Sequence, residues 1–117
     1  MVHNAKLANA FKLSSKITLY VPATIHEKEV DNTAYVDDAA KLFSSCFGGS
    51  TSTPALGYWL SGSVGLIKEK TTIVFAYCND SDLQANIDKV VTFCENLKAD
   101  LQQEAIALEI NGEMYFI

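Results

Sequence analysis

Residues 66–78, LIKEKTTIVFAYC, constrain the fold more than any other part of the chain. After Thr72 both alternating faces are apolar. Ile73, Phe75 and Tyr77 lie on one side, and Val74, Ala76 and Cys78 on the other. A strand of this kind belongs in the middle of a sheet and is usually covered on both faces. The rest of the chain must supply its neighbours and its covering layers. With 117 residues there is room for one domain. A domain of this size buries roughly two thirds of its unfolded surface, so a core forms without disulfides or metal.

The neighbours can be read from period and punctuation. Residues 16–22 alternate, with Ile17, Leu19 and Val21 on one side and Thr18 and Tyr20 on the other, which predicts a strand ending at Pro22. A polar loop follows, from Ala23 to Asp31. Residues 31–47 read as a helix with Val36, Ala39, Ala40, Phe43 and Phe47 on one face. Asp31, Asn32 or Thr33 can cap its start, and Gly48 and Gly49 can stop it. Residues 55–60 pair with 66–78 as a hairpin through Ser61-Gly62-Ser63-Val64-Gly65. Ser81-Asp82-Leu83-Gln84 fits a capping box. The helix that it opens carries Leu83, Ile87, Val90, Val91, Cys94, Leu97 and Leu101 on one stripe. Residues 105–110 and 113–117 form a second hairpin about Asn111-Gly112, with Ile110 opposite Glu113, Leu108 opposite Tyr115 and Ile106 opposite Ile117.

Strand, helix, strand, strand, helix, strand is the order of a ferredoxin-like βαββαβ sandwich, here with an extra C-terminal strand. The fold class is therefore α+β. Residues 16–117 form the domain, and residues 1–15 are a tail or a short docking helix. Right-handed crossovers put the first and third long strands at the centre. Both helices then cover one face and leave the other open. Tyr20, Tyr58, Trp59, Phe75, Tyr77, Tyr115 and Phe116 are more aromatics than one covered face needs. The open face is thus expected to pair with a second copy as a homodimer. The rival is a lid formed by Leu7, Phe11 and Leu13 of the same chain.

Charge excludes some partners. The formal net charge is −5, and all nine basic residues are lysines. Arginine is the side chain that grips phosphate and guanine edges in pairs, and the chain has none. Nucleic acid is therefore not an expected partner. No run approaches the ~20 apolar residues of a membrane span. Without a signal peptide, and with Cys46, Cys78 and Cys94 far apart and odd in number, the reading is a cytoplasmic protein with free thiols.

No catalytic or metal motif is present, and no cofactor is implied. His26-Glu27-Lys28-Glu29 lacks the second histidine of a zinc helix. The loop from Gly48 to Pro54 has the amides and hydroxyls of an anion cradle, but it follows a helix C-terminus, where the dipole repels anions. One constellation remains. Thr51, Thr53, Tyr58, Trp59, Lys68 and Lys70 combine aromatic bodies with polar tips, as a small-ligand site does.

Residues 48–59, GGSTSTPALGYW, with 68–77, KEKTTIVFAY, and the ending 111–117, NGEMYFI, resemble an uncharacterised family of small proteins carried by bacterial plasmids and conjugative elements. The resemblance covers most of the chain after Lys16. It implies a mobile-element accessory protein and supplies no activity. The leading functional expectation is a non-enzymatic interaction module, with a host protein as a candidate partner. The alternatives are a protein that sequesters a nucleotide-like or aromatic ligand, and a small dimeric enzyme of ferredoxin-like type.

The charge argument makes one prediction. Binding to duplex DNA is undetectable at physiological salt, because the chain has no arginine and a net negative charge, which leaves counterion release little to drive it. A sequence-selective gel shift at micromolar protein contradicts this.

Overall fold

The computed structural model describes residues 2–117. Its main elements are β1 (Ser15–Pro22), β2 (Thr24–Ile25), β3 (Lys28–Glu29), α1 (Thr33–Phe47), β4 (Thr51–Ser61), β5 (Gly65–Cys78), α2 (Asp80–Asp100), β6 (Ala107–Ile110) and β7 (Glu113–Phe116). Five strands form one sheet in the order β4-β5-β1-β6-β7, and β2 and β3 make a separate two-stranded ribbon. Every pairing is antiparallel. The fold is the expected α+β, ferredoxin-like arrangement, with β1 and β5 central and β7 as the added edge strand.

The pairing register decides what each face carries. Ile17, Leu19 and Val21 of β1 stand opposite Ala76, Val74 and Thr72 of β5. Ile17 and Leu19 also stand opposite Ile110 and Leu108 of β6. Directly opposed residues share a face. Most of these side chains are buried, and they meet Ala39, Phe43 and Phe47 of α1 and Leu83, Val90, Cys94 and Leu97 of α2 in one core. Both helices therefore lie on the same side of the sheet. The opposite face carries Thr18, Tyr20, Ile73, Phe75 and Tyr77. Their neighbours half-bury Ile73 and Phe75, while Tyr77 is 52% exposed. Apolar character on both faces of β5 thus reflects central position, with only one face covered by helices.

Several boundaries differ from the sequence reading. β4 begins at Thr51 and contains Pro54. It is an edge strand, so the missing proline N–H costs no ladder bond. The expected polar loop from Ala23 contains the β2–β3 ribbon, turned through His26 and Glu27 with φ of 50° and 68°. α2 is capped by Asn79, whose side chain accepts from the Asp82 amide at 2.7 Å. The expected cap residue, Ser81, is instead the second residue of the helix, inside its first turn. At α1 the Asn32 side chain does not cap. It donates instead to the Val21 carbonyl at 3.2 Å and to Thr72 Oγ1 at 3.3 Å, tying the helix start to both central strands.

The second hairpin has the expected register, with Ile110 opposite Glu113 and Leu108 opposite Tyr115. Ile106 and Ile117 exchange backbone bonds at 3.1 and 3.0 Å. Asn111 and Gly112 both have positive φ, as a two-residue turn of this hand requires. Residues 2–14 lie outside the sheet and contain only a 3-10 turn, Leu7–Asn9. They do not form a lid, since Phe11 is 88% exposed. No helix of the described residues is long and apolar enough to cross a membrane.

Phe43 is fully buried, whereas Tyr115 is half in water. Phe43→Ala is expected to cost about 3–5 kcal/mol, the range for emptying an aromatic core position. Tyr115→Ala is expected to stay within about 1 kcal/mol, as exposed positions do. Urea unfolding of the two variants checks this, and similar midpoints contradict the core assignment.

Candidate functional site

β1 stops pairing with β5 at Pro22 opposite Thr71. Beyond that point residues 56–61 and 65–70 have only each other as strand partners. They form a two-stranded arm that projects past the sheet. Its apolar side chains are widely exposed, including Leu56, Tyr58, Trp59, Leu60, Val64 and Leu66. The register divides the six candidate residues. Thr51, Thr53 and Trp59 oppose Phe75, Ile73 and Ile67 on the open face. Tyr58 opposes Lys68, and Leu56 opposes Lys70, on the face that continues toward the helices. Strand alternation puts the two sets on opposite sides. Within the first set, Thr51 and Trp59 are eight residues apart, about 27 Å at strand rise. Six residues therefore do not surround one ligand in a single copy. Tyr58, Lys68 and Lys70 do share a side.

Lys70 stands at the mouth of a groove of about 460 Å³. The groove lies between the β2–β3 ribbon, the start of α1 and the base of the arm. Val30, Pro54 and Leu56 provide apolar wall, and Glu29, Asp31, Asn32, Lys70 and Thr72 provide polar groups. Lys70 Nζ lies 3.3 Å from Glu29 Oε2. Both side chains are mostly exposed, so the pair is worth at most about 1 kcal/mol and opens readily. Asp31 Oδ1 accepts from the Thr33 hydroxyl at 2.6 Å and the Thr33 amide at 2.9 Å. The hydroxyl first and the amide second hold its carboxyl below the usual range, so it stays ionised at neutral pH. Backbone bonds hold the ribbon to the sheet: the Ala23 amide donates to the Lys70 carbonyl at 3.2 Å, and the Val30 amide to the Ala23 carbonyl at 2.9 Å.

Glu29, Asp31 and Asn32 were not among the residues expected from sequence. They sit in a segment that reads as a polar loop, some forty positions from Lys70, and no spacing rule connects the two. Only the ribbon and the Asn32 bond to Thr72 bring them together.

Other motifs are absorbed by structure. His26 Nε2 is 3.0 Å from Gln102 Oε1, and among the described residues no cluster of metal-ligating side chains occurs. Gly48, with φ of 93°, ends α1, and the Ser50 hydroxyl donates to the Ala40 carbonyl at 3.0 Å. That loop closes a helix. On the open face, Lys16 Nζ lies 4.6 Å from the Phe75 ring centroid and 5.4 Å from that of Tyr77. The two rings meet edge to face at 6.1 Å.

The cysteines are free. Cys78 and Cys94 are buried, and Cys46 is half-buried. Burial pushes the Cys94 thiol up to about 12 and raises that of Cys78 as well. A raised folded pKa favours the folded state while the thiol stays protonated. Stability is therefore expected to be intact below the unfolded thiol value, near 8.5, and to fall as pH rises from there toward 12. Urea midpoints measured between neutral pH and the alkaline limit of folding test this. Cys94→Ala is expected to flatten the decline, and an unchanged slope contradicts the assignment.

Comparison with known proteins places the fold. No family model matches the chain, and no curated protein matches it. Among solved structures, a phage SAM lyase in complex with S-methyl-5'-thioadenosine superposes with a TM-score of 0.65 at 17% identity, covering 92% of this chain and 93% of that one. The apo state of a phage SAM lyase gives a TM-score of 0.64 at 18% identity, covering 90% and 89%. The expectation of a non-enzymatic interaction module is corrected on this finding. The whole of this fold, nearly end to end, is one on which a lyase is built.

Proposed function

We propose that the chain is a small lyase acting on an adenosyl sulfonium compound, S-adenosylmethionine or a close analogue, with the groove beside Lys70 as its binding place. The observation that carries this reading is the fold shared with phage SAM lyase over nine-tenths of both chains. The chemistry of the groove supports it. Such a substrate offers a flat base, two ribose hydroxyls, a sulfonium cation and an amino-acid end. Val30, Pro54 and Leu56 suit the base, the Asp31 and Glu29 carboxylates suit hydroxyls and cations, and the Lys70 ammonium suits a carboxylate. The Lys70–Glu29 pair is weak enough for substrate to replace.

Conversion to S-methyl-5'-thioadenosine breaks a carbon–sulfur bond. The bonding pair passes to sulfur, and the sulfonium becomes a neutral thioether. A lyase adds no water, so the released four-carbon portion must satisfy its own carbon, and closing a ring through its own carboxylate oxygen does so with no proton to place. This asks the protein to hold a cation and fold a flexible tail, which is positioning work. It needs no nucleophile–base pair from the chain. The mobile-element origin and a cytoplasmic location remain part of the proposal. So does a second copy on the open face, where Phe75 and Tyr77 offer on the order of 150–250 Å² each.

The test is incubation of purified protein with S-adenosylmethionine in heavy-oxygen water. The expected product is S-methyl-5'-thioadenosine, with no heavy oxygen in the first-formed amino-acid fragment. Lys70→Met and Asp31→Asn are each expected to lower kcat/KM about 10- to 100-fold, the loss of one charge-assisted hydrogen bond, without a change in unfolding midpoint. Absence of product, together with no calorimetric binding of substrate or thioether, overturns the proposal.

A further inference from the structure

The wall of the groove that carries Glu29 and Val30 belongs to the β2–β3 ribbon, which is two residues a side. A two-stranded piece this short does not hold its own shape in water. On the groove side it is fastened by the Ala23 amide on the Lys70 carbonyl, and by the Lys70–Glu29 pair, which substrate displaces in the proposed reaction. Ile25 and Val30 pack partly against the core and keep the ribbon on the domain. Apolar contacts of this kind are non-directional, so they do not set where Glu29 stands.

Direction comes from the far side of the ribbon, where α2 ends. Gln103 Nε2 donates to the Thr24 carbonyl and to the Leu101 carbonyl, both at 2.8 Å. A side-chain amide nitrogen has two hydrogens, and both are used here. Gln103 is half-buried and Thr24 is buried. Thr24 is also the strand partner of Glu29. One amide group therefore ties the end of the helix to the strand that stands opposite Glu29. The backbone bends to allow it. Gln102 has a φ of 53°, and the Gln103 amide reaches back to the Lys98 carbonyl at 3.0 Å. In the ribbon turn, His26 and Glu27 are left-handed as well, and His26 Nε2 lies 3.0 Å from Gln102 Oε1. Three of the four non-glycine residues with positive φ among the described residues thus belong to the two turns that meet here. Such conformations persist only where the surroundings over-determine them.

We propose that Gln103 is a positioning residue of the groove. Through Thr24 it holds the ribbon, and with it Glu29 and Val30, in place across from Lys70 and Leu56. It touches no substrate. When substrate parts Lys70 from Glu29, the Gln103 amide is what keeps that wall from drifting outward. The effect on substrate rests on the lyase reading, whereas the holding of the ribbon does not.

Gln103→Met keeps the length of the side chain and removes both donors. By amide hydrogen exchange, the Ala23 and Val30 amides are expected to speed up about tenfold more than those of the β1–β5 ladder, as the loss of one net hydrogen bond at a local opening allows. With S-adenosylmethionine as substrate, KM is expected to rise about tenfold with kcat held within about twofold, the pattern of lost binding rather than lost chemistry. Gln103→Lys, which offers a donor to the same carbonyls, is expected to bring both readouts back toward wild type. Uniform acceleration of all amides marks a general loss of stability and overturns the proposal. So does a ribbon whose exchange does not change, or a KM that stays at the wild-type value while the ribbon opens. Wild-type protein that neither binds nor turns over S-adenosylmethionine removes the lyase reading alone, and the exchange pattern then decides whether Gln103 holds the ribbon.

Discussion

The antiparallel ladder between Ser15–Pro22 and residues 71–78 is the contact on which the other parts depend. It joins residues about fifty to sixty positions apart in sequence, so its loop-closure cost is repaid only when the helices also dock. Once formed, it lines up Ile17, Leu19 and Val21 with Val74 and Ala76 on one face. That strip is the floor on which Phe43, Val90, Cys94 and Leu97 pack. Asn32 adds a polar tie between the start of α1 and both central strands, through the Val21 carbonyl and Thr72 Oγ1. A slip of one residue would turn every core side chain of β1 to the open face, because the strand period is two.

The same ladder is shorter than the strands beside it, and the candidate site follows from that difference. Eight residues of β1 pair with β5, while β4 runs for eleven residues and β5 for fourteen. The excess becomes the arm. Where the arm leaves the sheet, the chain after Pro22 turns into the β2–β3 ribbon and then into α1. Three elements therefore meet at one corner. Backbone bonds to Ala23 and Val30 shape the groove, and its charged groups remain partly in water. Water screens the Lys70–Glu29 pair, which leaves both side chains free to exchange partners.

The chain devotes its aromatic surface and its polar surface to different places. Tyr20, Phe75 and Tyr77 lie on the open face, where Lys16 stacks on two of the rings. The carboxylates and lysine of the groove lie on the helix side. A positioning chemistry such as carbon–sulfur cleavage in a substrate that already carries its own leaving group suits this division. It asks for shape and charge at one corner and makes no use of the buried thiols.

Sequence alone determined the elements with a strong period. The two helices, the central place of β5 and the register of the last hairpin follow from side-chain alternation, apolar stripes and Asn111-Gly112, all of which act over a few residues. It did not determine which side chains converge. Tyr58 and Trp59 are adjacent in sequence and lie on opposite sides of the arm. Glu29 and Lys70 are forty-one positions apart and lie 3.3 Å apart. The β2–β3 ribbon, two residues a side, is too short to show a period, and its turn uses His26 and Glu27 in the left-handed region without a glycine. Only the tertiary structure decided the groove, because its walls are set by where one ladder ends and another continues, and that length difference is a property of strand pairing across the whole chain.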